Sequence, residues 1–427
     1  MKAGEKEAFS GWKVVAGCFV MLFFSGGIGL FGFSVFVIPL EKHFGWSRTV
    51  IAGAAGLSAV LFGIGGPVAA WGVQRFGARK TMCASAGLLG VAYIISATQQ
   101  NLAMLYGAFA LSGLAIAGCG PVPAYAVICR WFVRKRGQAM GVAELGLGFG
   151  GLLAPGWINF IIERWGRRVA FASGVPFMWL VVIPAIIWLI RTTPGELQQT
   201  PDGLPPADPV AKQSAASETA GATVREALAT SAFWLLFGVQ MMFLFGASGV
   251  SMHFVPMLDA LGAGSQWAAN FWGLTVGFSM VGRVAGGWLS DLYTPRRLLM
   301  WSGVWLTTSI LVLEFLVLRQ QLTSAPVLVL FALFYGIGMG TLVVALPMLV
   351  ASRFGMAHFG PILGLVMAGF APGAVLGPVV ISLLFDSTQQ YEPGVLCVLG
   401  SFSFLTLFCF LLRPAAVPTP MRAGEVA

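Results

Sequence analysis

Charge is what this sequence has least of. Only 10% of its 427 residues are Asp, Glu, Lys or Arg, while 57% are hydrophobic; a soluble domain carries roughly 25% charged residues. So few charges cannot cover a soluble surface. Histidine is equally scarce, with three residues, and the six cysteines contain no C-x-x-C pair. That excludes a zinc site or a disulfide framework as the organising principle. There is no H-E-x-x-H, no intramembrane aspartate pair and no Ser–His constellation at helical spacing, which excludes the familiar intramembrane enzymes. No metal or cofactor is expected. The net charge of +9 suggests nucleic acid only in a soluble chain; here it reads as membrane topology.

What is present is apolar length. A membrane-spanning helix needs about 20 apolar residues, and twelve runs qualify, near 14–39, 49–73, 79–98, 102–129, 138–162, 169–190, 232–257, 266–290, 297–318, 325–351, 359–385 and 393–412. The first is too long for a signal-peptide core and reads as a retained span. The expected fold is an all-α integral membrane bundle, since outside closed barrels only helices satisfy their own backbone in lipid. One long polar stretch, 191–231, carries Pro194, Pro201, Pro205, Pro206 and Pro209. It reads as a mobile cytoplasmic linker between an N-terminal six-helix half, 1–190, and a C-terminal half with a short tail, 232–427.

The basic residues set an expected orientation. With both termini cytoplasmic, 18 Lys and Arg fall inside and six outside, among them Arg164, Arg167 and Arg168, which run against the trend. Arg283 belongs to neither side. The halves also repeat. A shift of 217 places Pro39 on Pro256, Gly65 on Gly282, Trp71 on Trp288, and Arg79 and Lys80 on Arg296 and Arg297. A shift of 223 places Arg130 on Arg353, Gly137 on Gly360, Gly141 on Gly364 and Pro155 on Pro378. Parallel halves of this kind describe a transporter architecture with its substrate site near the bilayer midplane.

The stretches "GVQRFGARK" (Gly72–Lys80) and "GGWLSDLYTPRR" (Gly286–Arg297) resemble the loop signature of the major facilitator superfamily. Asp291 holds the acidic position in the second copy; Gln74 replaces it in the first. The resemblance implies an inner gate braced by Asp291, Arg296, Arg297, Arg79 and Lys80. Two further stretches are more specific: "FGFSVFVIPLEKHFGWSRT" (Phe31–Thr49) resembles bacterial monocarboxylate transporter relatives, and "CRWFVRKRGQAMG" (Cys129–Gly141) resembles that group and the oxalate–formate antiporters. With Arg283 eight residues before Asp291, they imply a secondary transporter of small organic anions of the lactate, pyruvate or acetate type. Transport would proceed by alternating access with proton symport or anion exchange, in a cell inner membrane. The expected partners are the anion, protons or an exchanged anion, and lipid; the chain is expected to be a monomer that binds no nucleic acid. A carrier effluxing other small molecules and a transporter-like membrane sensor are the alternatives.

Individual residues carry the chemistry. An arginine inside a span is costly and should face protein or a water-filled space; its fork suits a carboxylate. Arg283 is therefore either a substrate anchor or one partner of a structural pair with Glu144 or Glu314. The antiporter pattern has a lysine in span eleven, where this chain has Val366. One buried cation suits a monoanion better than a dianion. Animal monocarboxylate transporters carry an aspartate one turn before the arginine, where this chain has Ser279, so the proton-coupling candidates are His253 and Glu144. His253, Tyr125 and Tyr335 offer hydrogen bonds to a substrate, each with the alternative of a locally satisfied packing role. Phe31, Phe33 and Phe370 are candidates for excluding larger substrates.

Overall fold

The computed structural model describes residues 9–205, 221–321 and 323–413. Among the described residues twelve helical segments organise the fold, with no strand, only an isolated bridge between Gly221 and Gly355. In the first half these are α1 (Gly11–Phe31), α2 (Arg48–Phe76), α3 (Ala78–Thr98), α4 (Leu102–Trp131), α5 (Arg136–Ala172) and α6 (Gly174–Leu189). In the second they are α7 (Ser231–Ala260), α8 (Ser265–Leu292), α9 (Pro295–Arg319), α10 (Ala325–Phe354), α11 (Phe359–Thr388) and α12 (Glu392–Leu411). Ten are long and apolar enough to cross a membrane. The other two are the shorter α6 and the long α8, whose Arg283 and Asp291 dilute its hydropathy.

The ends are set by local chemistry. Ser47, Asn101 and Thr230 accept the backbone N–H three residues on from their side-chain oxygens, capping α2, the first part of α4 and α7. α1 does not stop at Phe31: a 3₁₀ turn over Gly32–Phe36 carries it into a further helix, Val37–Phe44. The turn from α5 into α6 takes place at Gly166, whose φ of 80° is readily available to glycine alone. Just beyond it, Arg167 lies with its guanidinium 4.5 Å from the centre of the Phe44 ring, and Arg164 lies over Phe160. Two of the three basic residues that oppose the charge trend are thus seated on aromatic faces.

The halves meet along two seams. α2 packs against α11, and α5 against α8. The two are equivalent under the repeat, which exchanges α2 with α8 and α5 with α11. Glycine permits the close approach at both: a Cβ on Gly141 would come within 2.5 Å of the Arg283 carbonyl oxygen, and one on Gly364 within 2.8 Å of that of Gly66. The repeat extends to hydrogen bonds. Arg79 Nη2 donates to the Ile187 carbonyl at the end of α6, and Arg296 Nη2 donates to the Phe410 carbonyl at the end of α12. Positive groups at helix C-termini are favourable. Lys80 and Arg297 are exposed.

The described parts of the linker are docked. Trp131 Nε1 donates to the Arg191 carbonyl, and Asp202 Oδ2 accepts from the N–H groups of Val133 and Arg134 at 2.8 and 2.7 Å. On the other side, Ala222 N donates to the Phe354 carbonyl at 2.8 Å. Trp131 and Phe354 are counterparts under the 223-residue shift, so the linker is anchored to the same loop in each half.

Candidate functional site

α8 brings Arg283 to the α5/α8 seam, where its side chain is only 6% exposed. Its Nη1 donates to the main-chain carbonyl of Glu144 at 2.6 Å and stands 3.8 Å from Glu144 Oε2. The Glu144 side chain is fully buried, and its Oε1 accepts from the Tyr125 hydroxyl at 2.6 Å. Three helices, α4, α5 and α8, thus supply a tyrosine, a glutamate and an arginine in series, the last from the opposite half. Arg283 Nε and Glu144 Oε2 have no hydrogen-bond partner. At 3.8 Å the two side chains attract without bonding, so the arginine fork keeps donor capacity unused.

Of the two pairings open to Arg283, Glu144 is the one made. Glu314 lies in the π-helical end of α9, fully buried, and accepts from Arg319 Nε at 3.1 Å; Arg319 also pairs with Glu392 at 2.8 Å. That cluster lies away from α8, with Glu314 Oε2 buried and without a hydrogen-bond partner.

The other sequence candidates disperse. His253 Nε2 lies 3.3 Å from both the Pro378 carbonyl and Ser382 Oγ, so it joins α7 to α11 within one half. Tyr335 is fully buried, stacked on Phe331 with centroids 5.3 Å apart and its hydroxyl 3.5 Å from the Ala247 carbonyl. Phe33 packs edge-on against Phe109, and Phe31 is 45% exposed. Phe370 packs edge-on against Phe62, with centroids 4.8 Å apart, at the α2/α11 seam. The site therefore centres on Arg283, Glu144 and Tyr125.

Below it, Asp291 does not pair with Arg296 or Arg297. Its two carboxylate oxygens accept from the N–H groups of Gly137 (2.7 Å) and Gln138 (3.1 Å), capping the start of α5 from the other half. At the equivalent place in the other seam, the two shifts put Gln74 where Asp291 stands and Pro361 where Gln138 stands. The acid is missing there, and so is one N–H it would cap. Sequence reading singled out Gln74 but not the matching Pro361, which the 223-residue shift makes visible. Asp202 was not legible as a docking residue, because a turn aspartate in a Pro-rich stretch has many local uses.

Comparison with known proteins gives consistent relatives. The Major Facilitator Superfamily model matches residues 17–311 and 275–425. "Monocarboxylate transporter 11" of Mus musculus is 28% identical over 98% of this chain and 90% of its own length. "MFS-type transporter hasB" of Aspergillus fumigatus is 25% identical over 93% of this chain and 87% of its own. Among solved structures, the proton:xylose symporter XylE bound to 6-bromo-6-deoxy-D-glucose superposes with a TM-score of 0.75 at 14% identity, covering 95% of this chain and 96% of that one.

Proposed function

Because the chain belongs to the Major Facilitator Superfamily and is a multi-pass membrane transporter, we propose that it carries small organic monoanions, with Arg283 as the group that engages the substrate carboxylate. The observation that carries this reading is the under-coordinated arginine at the α5/α8 seam. Its Nε is unpartnered, its nearest acid is beyond hydrogen-bond length, and its one strong bond is to a main-chain carbonyl. A carboxylate entering between the halves offers the bidentate partner this fork lacks. The homologues named as monocarboxylate transporters support the same class.

Glu144 is the second functional group. Protonated, it still accepts from Tyr125 and no longer competes for Arg283; ionised, its charge 3.8 Å away competes with a substrate carboxylate for the arginine. A substrate carboxylate and a proton on Glu144 therefore favour each other's binding. That is the linkage a proton–anion symporter requires. Alternating access follows from the position of the group. Arg283 belongs to one half and Glu144 to the other, so a ligand that replaces their contact changes the energy of the seam itself. The distribution of basic residues supports a cytoplasmic assignment for the face bearing the linker, Arg79 and Asp291, with both termini on that side.

The test is a thermal-shift screen of purified protein with lactate, pyruvate, acetate and oxalate, on wild type and Arg283→Ala. Stabilisation by monocarboxylates that disappears in the variant is expected. Preference for oxalate, or stabilisation that survives loss of Arg283, overturns the reading.

A further inference from the structure

The face opposite the linker carries a basic corner that the fold itself does not require. α5 turns into α6 at Gly166, with Arg164, Arg167 and Arg168 around the turn. Under the 223-residue shift these four residues fall on Gln389, Ser387, Gln390 and Tyr391. Gln389 has a φ of 57°, so the second half also passes through positive φ at this place, without a cation. The 217-residue shift puts Lys42 and Arg48 on Asp259 and Ser265. There Ser265 Oγ donates to Asp259 Oδ1 at 2.8 Å, much as Arg48 Nε donates to Glu41 Oε2 at 2.9 Å. The corner is built twice and made basic once.

Its charges are not neutralised within the chain. Glu41 pairs with Arg48, and Glu163 accepts from the Asn159 amide at 2.7 Å. Among the described residues, Lys42, Arg164, Arg167 and Arg168 form no ion pair. Arg319, on the same face of the second half, is by contrast held by Glu314 and Glu392. Arg167 lies at the floor of the corner. It is 7% exposed, its guanidinium rests on the Phe44 ring, and its Nη1 is buried without a hydrogen-bond partner. A cation with little water and no counter-ion has a weakly screened field. Arg164, Arg168 and Lys42 are exposed around it. The space at Gly166 is open, since a Cβ there would meet nothing within 4 Å.

The surface next to the corner selects the kind of anion. Trp157, Phe160 and Trp165 are exposed on α5 and form a row, with ring centroids 6.4 and 5.9 Å apart. Arg164 lies over the middle ring. Exposed tryptophan at the end of an apolar span marks the headgroup level of a bilayer, and an arginine fork takes a phosphate bidentately. An amphiphile with a phosphate head and an acyl chain matches both the cations and the apolar row; a dissolved anion matches the cations alone. We propose that the corner made by Arg164, Arg167, Arg168 and Lys42 binds the phosphate headgroup of an anionic phospholipid, with its chain along Trp165, Phe160 and Trp157. The site belongs to one half and is independent of the transported substrate.

The experiment is native mass spectrometry of the purified full-length protein with equal amounts of phosphatidylglycerol and phosphatidylcholine. Wild type should retain phosphatidylglycerol in preference. A basic residue near an anionic lipid surface contributes about fivefold in affinity, so Arg164→Gln and Arg168→Gln should each lower the preference about fivefold, and Arg167→Gln at least as much. Equal retention of the two lipids by wild type overturns the site. So does a preference unchanged in both Arg164→Gln and Arg168→Gln, whose side chains are exposed and carry no packing that folding needs. A thermal-shift titration with inorganic phosphate is the second arm, and no stabilisation is expected. Stabilisation by phosphate that is lost in Arg168→Gln assigns the corner to a dissolved anion and overturns the lipid.

Discussion

Arg283 and Gly66 are counterparts in the two halves, and each places its carbonyl oxygen against a glycine of the opposite half, Gly141 and Gly364. The backbone contact is kept in both seams; the guanidinium is added in one. One seam is polar and the other apolar. The charged seam alone has a carboxylate cap, Asp291 on the start of α5, and a titratable contact, Glu144.

Arginine geometry should matter as much as its charge. Arg283→Lys keeps the cation but loses the planar fork. Charge-assisted hydrogen bonds are worth about 1.5–3 kcal/mol, so carboxylate uptake into proteoliposomes should fall about 10–100-fold in the lysine variant and further in Arg283→Ala. Full activity in Arg283→Lys would show that only the charge is used.

Glu144→Gln should separate proton coupling from anion movement. The amide keeps an acceptor for Tyr125 and no longer titrates. Uptake driven by an inward proton gradient should disappear while anion exchange at equal pH persists. His253→Ala, which disturbs a contact confined to the second half, serves as the comparison: if it alone abolishes gradient-driven uptake, His253 is the carrier. Tyr125→Phe leaves a fully buried carboxylate oxygen without its donor, and such a loss costs about 1–3 kcal/mol; a lower melting temperature in detergent is the expected readout.

Removing the cap should loosen the linker face. Asp291→Ala frees two N–H groups at the start of α5; cap losses cost about 0.5–2 kcal/mol. Cys129, buried near the linker-face end of α4, should react faster with a maleimide in a background lacking the other five cysteines. An unchanged rate would mean that the cap stabilises α5 without holding the seam.

Asp202→Ala should release the first linker anchor. Its carboxylate collects two N–H groups of the α4–α5 loop, and without it the segment 194–205 should be cleaved several-fold faster in limited proteolysis with a nonspecific protease. Protection equal to wild type would assign the docking to the Trp131–Arg191 contact instead.

Much of the fold was legible because lipid leaves the chain few choices. Apolar length gave twelve segments, and the two shifts gave the halves. Arg283 stood out because an arginine inside a span has no cheap explanation. Its partner was harder to identify. Glu144 is 139 residues away and on the other half, and sequence left it level with Glu314 until the structure gave Glu314 to Arg319. From sequence, Tyr125 offers a hydroxyl to substrate or to a local partner; which way it turns is decided by neighbours that the sequence does not order in space. The first-copy Gln74 looked like a defect in a motif. Beside Pro361 it is half of a matched change, since an acid there would have faced a residue with one N–H fewer to give.

The linker's two anchor points have a use beyond holding it down. Asp202 and Ala222 sit on equivalent loops of opposite halves, outside the apolar spans. Any rocking that parts the halves on this face must change the separation between those loops. A pair of spectroscopic labels at Thr200 and Thr223 would therefore act as a ruler laid across the molecule, reading the transport cycle from the water without touching the path the substrate takes.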